Sequence, residues 1–136
     1  MGNDAIKILI ALTVFAHGVG HVLFLVPALG IATWAGQTGD SWLLTGTFGP
    51  TMTRAIAAIV WAAAIVLFVG GVAGFLTGAE WWRAVTLAGA VASAVGIAAM
   101  WGGIAMSSAL FALGFDAVIV VALVWAHWPA VDLVGT

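Results

Sequence analysis

The chain has 136 residues, of which 65% are hydrophobic and only 6% charged, and its formal net charge is −2. Soluble domains carry about 25% charged residues, and a chain this short has too much surface to hide so much apolar material from water. Three basic residues cannot neutralise many phosphates, so composition excludes nucleic acid as a partner. The absence of cysteine excludes disulfide exchange, thiolate catalysis and cysteine-ligated metals.

Four apolar stretches are long enough to cross a bilayer, for which a helix needs about 20 residues. They are predicted at residues 8–26, 51–76, 81–101 and 108–128, with Gly or Pro near each boundary. We interpret the first as a retained span ended by Pro27, because no small-x-small cleavage site stands nearby. Thr51 or Thr53 is the expected cap of the second. The sequence therefore predicts an all-α integral membrane four-helix bundle, with residues 1–136 forming a single transmembrane domain surrounded by the lipid bilayer.

Tryptophan placement supports these limits, since indole prefers the headgroup level of a membrane. Trp61 is the exception, because it falls in mid-span. The other seven are predicted to form two belts, namely Trp81, Trp82, Trp125 and Trp128 on one side and Trp34, Trp42 and Trp101 on the other. The long connection from residue 28 to residue 49 is apolar, so we expect it to lie on the bilayer surface or to fold back over the bundle.

Small residues predict where the helices touch, because close approach of backbones is a main source of helix association in lipid. The predicted packing residues are Gly70 and Gly74 on the second span, Gly89, Ser93 and Gly96 on the third, and Ala16 and Gly20 on the first. These stripes either hold one bundle together or, alternatively, drive self-association of several copies.

Four charged residues lie at predicted span ends, where they reach water or headgroups: Lys7, Glu80, Arg83 and Asp132. His17, His21 and Asp116 instead fall inside spans. At about 1.5 Å per residue, His17 lies roughly 15 Å and His21 roughly 21 Å from the level of Lys7, while Asp116 lies roughly 18 Å from the same interface. The two histidines share a helix face. We therefore predict an intramembrane polar cluster of His17, His21 and Asp116, extended by Thr13 and completed by Arg54.

Three functions are compatible with such a cluster. It can be a hydrogen-bonded network that fixes the helices, or a protonatable relay or substrate site, since intramembrane Asp and His mark transport paths. It can also be a metal site, because His17, His21 and Asp116 supply two imidazoles and a carboxylate for zinc or iron. Haem is disfavoured as a cofactor, because His127 lies at the interface, far from the depth of the other histidines.

A family resemblance rests on four segments: His17-Gly18-Val19-Gly20-His21, Trp42-Leu43-Leu44, Trp81-Trp82-Arg83 and Asp116. With these, the chain resembles a group of small four-span bacterial membrane proteins without an assigned activity. It is also similar to DoxX-like proteins in size and number of spans. The resemblance implies the fold and a multi-pass location in the cytoplasmic (inner) membrane of a prokaryote, and it implies no chemistry.

These observations favour a non-enzymatic membrane protein, either an accessory subunit of other membrane subunits or a self-assembling bundle. The alternatives are a small proton-linked carrier and a membrane metalloenzyme acting on a lipophilic substrate. Lys7 and Arg83 share one side of the predicted topology with both termini, whereas Arg54 lies on the other. The excess of basic residues predicts that the termini are cytoplasmic.

Overall fold

A computed structural model describes residues 3–34 and 36–130 of the chain. Within these ranges every regular element is a helix, and four helical segments are long and apolar enough to span a membrane. The first span joins α1 (Asn3–Gly20) to α2 (Val22–Ala28), the second is α3 (Thr45–Thr77), the third is α4 (Trp82–Ala99), and the fourth is α5 (Met106–Val120) with a wider π turn (Val121–Trp125). The predicted all-α fold with four spans is confirmed. Asp132, expected at a span end, lies outside the described residues.

The first span is interrupted at His21. The Nδ1–H of His21 donates hydrogen bonds to the backbone oxygens of His17 (3.0 Å) and Gly18 (3.2 Å). A side chain that bonds to the carbonyls of its own helix competes with the backbone ladder and bends the helix. The first span was predicted to end at residue 26, stopped by Pro27, but the helix continues through Pro27 to Ala28. Pro27 has no N–H to donate to the preceding turn, and the helix ends one residue later.

The second span is interrupted at Gly49, before Pro50. Gly49 has φ 75° and ψ 166°, a conformation that glycine reaches without a steric penalty. The residue before a proline is held away from helical dihedrals, so the uninterrupted helix begins at Pro50. Thr53, one of the two predicted caps, is buried, and its hydroxyl donates to the oxygen of Gly49 at 2.9 Å instead of capping the helix.

The connection between the first two spans, described for residues 29–34 and 36–44 and called here the 29–44 connection, folds back over the end of the third span. The Ser41 hydroxyl donates to the oxygen of Ala99 at 2.5 Å, and the Trp42 indole N–H donates to the oxygen of Ala98 at 2.7 Å. The backbone N–H of Thr38 donates to the oxygen of Gly103 at 2.9 Å. The last carbonyls of a helix have no partner inside it. The connection therefore caps the third span, which is the second of its two predicted placements.

Close helix packing involves most of the predicted small residues on the second and third spans. A Cβ added to Gly74 would lie 2.7 Å from the Trp81 ring, and one added to Gly96 would lie 2.8 Å from the Trp61 ring. At Gly89 the nearest atom would be in the Phe68 ring, 3.2 Å away. These positions accept no larger side chain without movement of a neighbour, so the glycines determine how closely the two spans approach.

Three predicted packing positions are corrected. A Cβ on Gly70 would make only an ordinary contact of 3.7 Å with Val85, whereas one on Gly71 would collide with Thr86. On the first span the predicted face is wrong, since a Cβ on Gly20 would meet nothing within 4 Å, and Ala16 is exposed. Gly18 is the tight position there, because its Cβ would lie 2.5 Å from Phe68 Cβ. Residues two apart point to nearly opposite sides of a helix, so the packing face is the reverse of the predicted one.

The side chains of two tryptophans are buried in the core of the bundle and do not face lipid. Trp61, the mid-span exception, is 1% exposed and packs against Phe24, with ring centroids 4.9 Å apart. Trp82 was predicted at the interface, but it is buried against Phe75, with centroids 5.0 Å apart, and under the Arg83 guanidinium. The side chains of the remaining tryptophans are exposed: Trp34, Trp42, Trp81, Trp101, Trp125 and Trp128.

Candidate functional site

The histidines lie between two apolar clusters in the bundle. One cluster lies towards the Thr77–Trp82 turn and contains Ala11, Phe68, Val72, Phe75, Trp82, Ala90, Ile119 and Leu123. The other lies towards the 29–44 connection and contains Phe24, Ala28, Ala57, Trp61, Ile97, Met100, Ile104, Ala109 and Ala112. The polar side chains therefore form a thin layer at mid-span, where water is scarce and each polar atom needs a partner within the protein.

His17 and Asp116 join the first span to the fourth. His17 Nε2 and Asp116 Oδ1 share a hydrogen bond of 2.8 Å, and each side chain is 4% exposed. The second carboxylate oxygen, Oδ2, is buried and has no hydrogen-bond partner among the described residues. A carboxylate within a membrane is costly unless it is paired or protonated. Asp116 therefore depends on His17 as its one direct partner in this part of the chain.

Aromatic rings fix the orientation of the His17 imidazole. The Phe115 ring stacks on it with centroids 4.4 Å apart and planes 20° from parallel, and the Phe68 ring meets it edge-on at 4.9 Å. The Nδ1 atom of His17 makes no hydrogen bond within the described residues, yet it is not among the fully buried atoms that lack a partner. It is therefore reachable from outside the network.

His21 uses both ring nitrogens inside the protein. Backbone oxygens only accept, so the Nδ1 that bonds to His17 and Gly18 carries a hydrogen. In a neutral imidazole the other nitrogen is then an acceptor, and His21 Nε2 takes the hydroxyl hydrogen of Ser93 at 2.7 Å. Ser93 is fully buried on the third span. The hydrogen bonds therefore connect the first span to the third through His21 and to the fourth through His17.

The structure does not bring Arg54 or Thr13 into this network. Arg54 is exposed, and its side chain lies beside Gly39 of the 29–44 connection, with Cγ 3.4 Å from where a Gly39 Cβ would stand. Its depth was estimated from helical rise, which does not fix the direction in which a side chain leaves the helix. Thr13 shares the face of His17 but is exposed, and its hydroxyl donates to the oxygen of Leu9 at 2.7 Å.

The geometry does not favour the predicted zinc or iron site. Among the residues that the structure describes, no group of three His, Cys, Asp or Glu side chains is placed to hold a metal ion. His21 would have to give up its bonds to Ser93 or to its own helix before it could act as a ligand. His127 follows the fourth span and is exposed, so it does not contribute to this site.

Two clefts separate the first and fourth spans, one on each side of the His17–Asp116 bond. The smaller, of about 300 Å³, has almost entirely apolar walls that include Leu9, Phe75 and Val118. The larger, of about 680 Å³, is lined by both histidines and by Leu12, Thr13, Ala16, Gly20, Leu23, Phe24, Ser107, Ser108, Phe111, Ala112 and Phe115. Several of these wall residues are more than half exposed, so the larger cleft opens on the outer, lipid-facing surface.

No protein-family model, curated protein or solved structure matches the chain. The resemblance to small four-span bacterial proteins therefore stays a prediction, and the site is interpreted from its own geometry. Sequence reasoning missed two of its members. Ser93 was predicted only as a small packing residue. Its hydroxyl lies in mid-span at the level of a histidine, and this was the sequence signal that could have identified it as a hydrogen-bond partner. No sequence signal identified the Phe115 ring that stacks on His17.

Proposed function

We propose that this chain is a small, non-enzymatic, multi-pass protein of the prokaryotic cytoplasmic membrane, which acts as an accessory subunit or as a self-assembling bundle. In this proposal the His/Asp cluster holds the helices in register. The termini face the cytoplasm, as favoured by Lys7 and Arg83 on one side against Arg54 on the other.

One observation carries the structural role of the cluster: His21 has no ring nitrogen left for chemistry. Its Nδ1–H is held by two backbone oxygens, and its Nε2 by Ser93. The network thereby joins three of the four spans, which is how polar side chains stabilise helix association in lipid. The described residues outside the spans consist of short turns and of one connection that caps the third span, so they offer little surface for an extramembrane reaction.

Oligomeric mass tests this proposal. We expect native mass spectrometry of protein extracted in a mild detergent to show either several copies of the 13.8 kDa chain or the chain together with other membrane proteins. Crosslinking in intact membranes is the control for dissociation by detergent. A chain that stays monomeric in both experiments would contradict the proposed role as a subunit or a self-assembling bundle.

A small proton-linked carrier is a second candidate, favoured by the unshared Nδ1 of His17 and the unpartnered Oδ2 of Asp116. A carrier needs water to reach this pair from one side at some stage. The larger cleft, which has His17 in its wall, is the available route. A relay of this kind would use the same two residues that the structural role uses, so water access distinguishes the two functions.

Cysteine labelling tests this second candidate, because the natural chain has no cysteine. Ala112 lies in the wall of the larger cleft, one turn before Asp116. For a carrier, Ala112→Cys reacts with a charged, membrane-impermeant thiosulfonate reagent, whereas Gly114→Cys, on an exposed position of the same helix, does not. Labelling of Ala112→Cys only by an uncharged, lipid-soluble maleimide would show that no water path exists.

A further inference from the structure

In the wall of the larger cleft, the polar layer contributes one ring nitrogen that makes no hydrogen bond within the described residues. The hydroxyls of Ser107 and Ser108 also line this wall, but they lie in the first turn of α5, two turns before Asp116. His17 lines this cleft and not the smaller one, and its Nδ1 is the ring nitrogen that Asp116 does not bind. The rest of the wall near it is apolar or aromatic and includes Leu12, Phe111 and Phe115. Leu12 and Phe111 are 59% and 75% exposed, so a molecule dissolved in the acyl chains can enter from the side.

The state of the His17–Asp116 pair decides whether Nδ1 donates or accepts. A net charge at mid-membrane is costly, so the pair is expected to hold the one extra proton that makes it neutral. As an ion pair, His17 carries hydrogen on both nitrogens. As a neutral pair, the Asp116 hydroxyl donates to Nε2, and the hydrogen of the imidazole is then on Nδ1.

One further arrangement of the neutral pair, in which Nδ1 accepts, is disfavoured because Oδ2 has no hydrogen-bond partner among the described residues. Nδ1 would be an acceptor in a neutral pair only if the proton of Asp116 were on Oδ2. That O–H would be buried without an acceptor among the described residues, which is unfavourable. In both favoured forms, therefore, His17 presents an N–H to the cleft.

Depth excludes a phospholipid headgroup as the natural partner of this N–H. His17 lies roughly 15 Å along the helix from Lys7, and the hydrocarbon core of a bilayer is about 30 Å thick. The imidazole is therefore near the bilayer centre, whereas phospholipid ester groups stay at the interface. An acceptor that reaches it belongs to a molecule that dissolves in the acyl region as a whole.

We propose that the larger cleft binds an uncharged, lipid-soluble carbonyl compound, such as a long-chain ketone, whose oxygen accepts a hydrogen bond from His17 Nδ1. The aliphatic part lies along the apolar wall formed by Leu12, Leu23 and Phe111. This site goes beyond the proposed accessory role, since it requires neither self-association nor a partner subunit. It also leaves the His17–Asp116 and His21–Ser93 bonds unchanged.

Two glycines provide a matched pair of variants. Gly20 lies in the cleft wall and Gly114 does not, yet an added Cβ at either position meets nothing within 4 Å. Helical side chains lean towards the N-terminus, so Gly20→Leu covers the cleft beside His17. Gly114→Leu adds the same side chain to the other wall helix, outside the cleft.

Infrared spectroscopy with dodecan-2-one measures this hydrogen bond directly. The protein is placed in nanodiscs of ether-linked phospholipid, which has no carbonyl group. We expect a second, saturable ketone band at lower wavenumber in the natural protein and in Gly114→Leu, and its loss in Gly20→Leu. Dodecane, which has no acceptor, should compete for this band only weakly.

Three results would overturn the proposal. The low-wavenumber band could be absent from the natural protein, or it could persist unchanged in Gly20→Leu, which would mean simple partitioning into lipid. It could also disappear when ester-linked phospholipid replaces the ether lipid, which would identify a phospholipid carbonyl as the occupant. Retained helical circular dichroism and thermal stability in both leucine variants keep these results separate from loss of the fold, and none of them bears on oligomeric mass.

Discussion

Gly18→Leu is expected to destabilise the bundle by about 1–3 kcal/mol, the usual cost of overpacking a core. The Cβ of the new side chain would stand 2.5 Å from Phe68 Cβ, so backbone or ring must move. Phe68 is fully buried and packs against the rings of both His17 and His21. Its displacement therefore disturbs the polar layer together with the apolar core. Leucine gains about 1 kcal/mol over glycine in helix propensity, which offsets only part of this loss.

Gly20→Leu is the control for this prediction. It makes the same substitution two residues later on the same helix, where an added Cβ meets nothing within 4 Å. Its free energy of unfolding should therefore stay unchanged or rise by up to about 1 kcal/mol. Equilibrium unfolding in mixed micelles, followed by circular dichroism, measures both variants. Equal stability of the two would mean that the first span does not approach Phe68 as closely as described.

His17→Leu is expected to cost about 2.5–3.5 kcal/mol, the cost of an unpaired Asp at the centre of a spanning helix. The substitution removes the one described partner of Asp116, whose Oδ2 already lacks one. Asp116→Leu should cost less, because the imidazole left behind is neutral and can still be reached from the cleft. Unfolding in mixed micelles gives both free energies.

The double variant His17→Leu/Asp116→Leu distinguishes pairing from simple burial. A buried polar pair can be replaced by apolar side chains of similar volume at little cost, whereas removal of one partner is expensive. We therefore expect the double variant to be more stable than His17→Leu alone. If the loss of stability in the double variant equals the sum of the losses in the two single variants, the two residues do not interact. If the chain is a carrier, the double variant should keep its fold and lose transport.

The depth of the polar layer could be predicted from the sequence, but its pairing could not. The helical rise places Asp116 between the levels of His17 and His21 and gives no reason to choose either. The choice depends on rotation of the first span, which follows from Gly18 packing on Phe68. The His-Gly-x-Gly-His segment has two glycines, and nothing in the segment shows which one faces the bundle.

For Arg54, too, the sequence predicted the depth of the residue but not the direction of its side chain. Its predicted level in the membrane was one turn from the cluster, but its side chain leaves the helix beside the 29–44 connection. That connection was expected to lie on the bilayer surface or to fold back over the bundle. Its path depends on hydrogen bonds from Ser41 and Trp42 to the end of the third span. Contacts between distant segments of this kind leave no periodic pattern in the sequence.

The bond between His17 and Asp116 also has a consequence for biogenesis, because it joins side chains 99 positions apart. Synthesis releases the first span long before the fourth, and domains begin to form from the N-terminus. During that interval the Nε2 of His17 has no carboxylate to bind, and one side of the larger cleft has no wall. Arrival of the fourth span supplies both at once, so the ligand site proposed above exists only after the last helix has inserted.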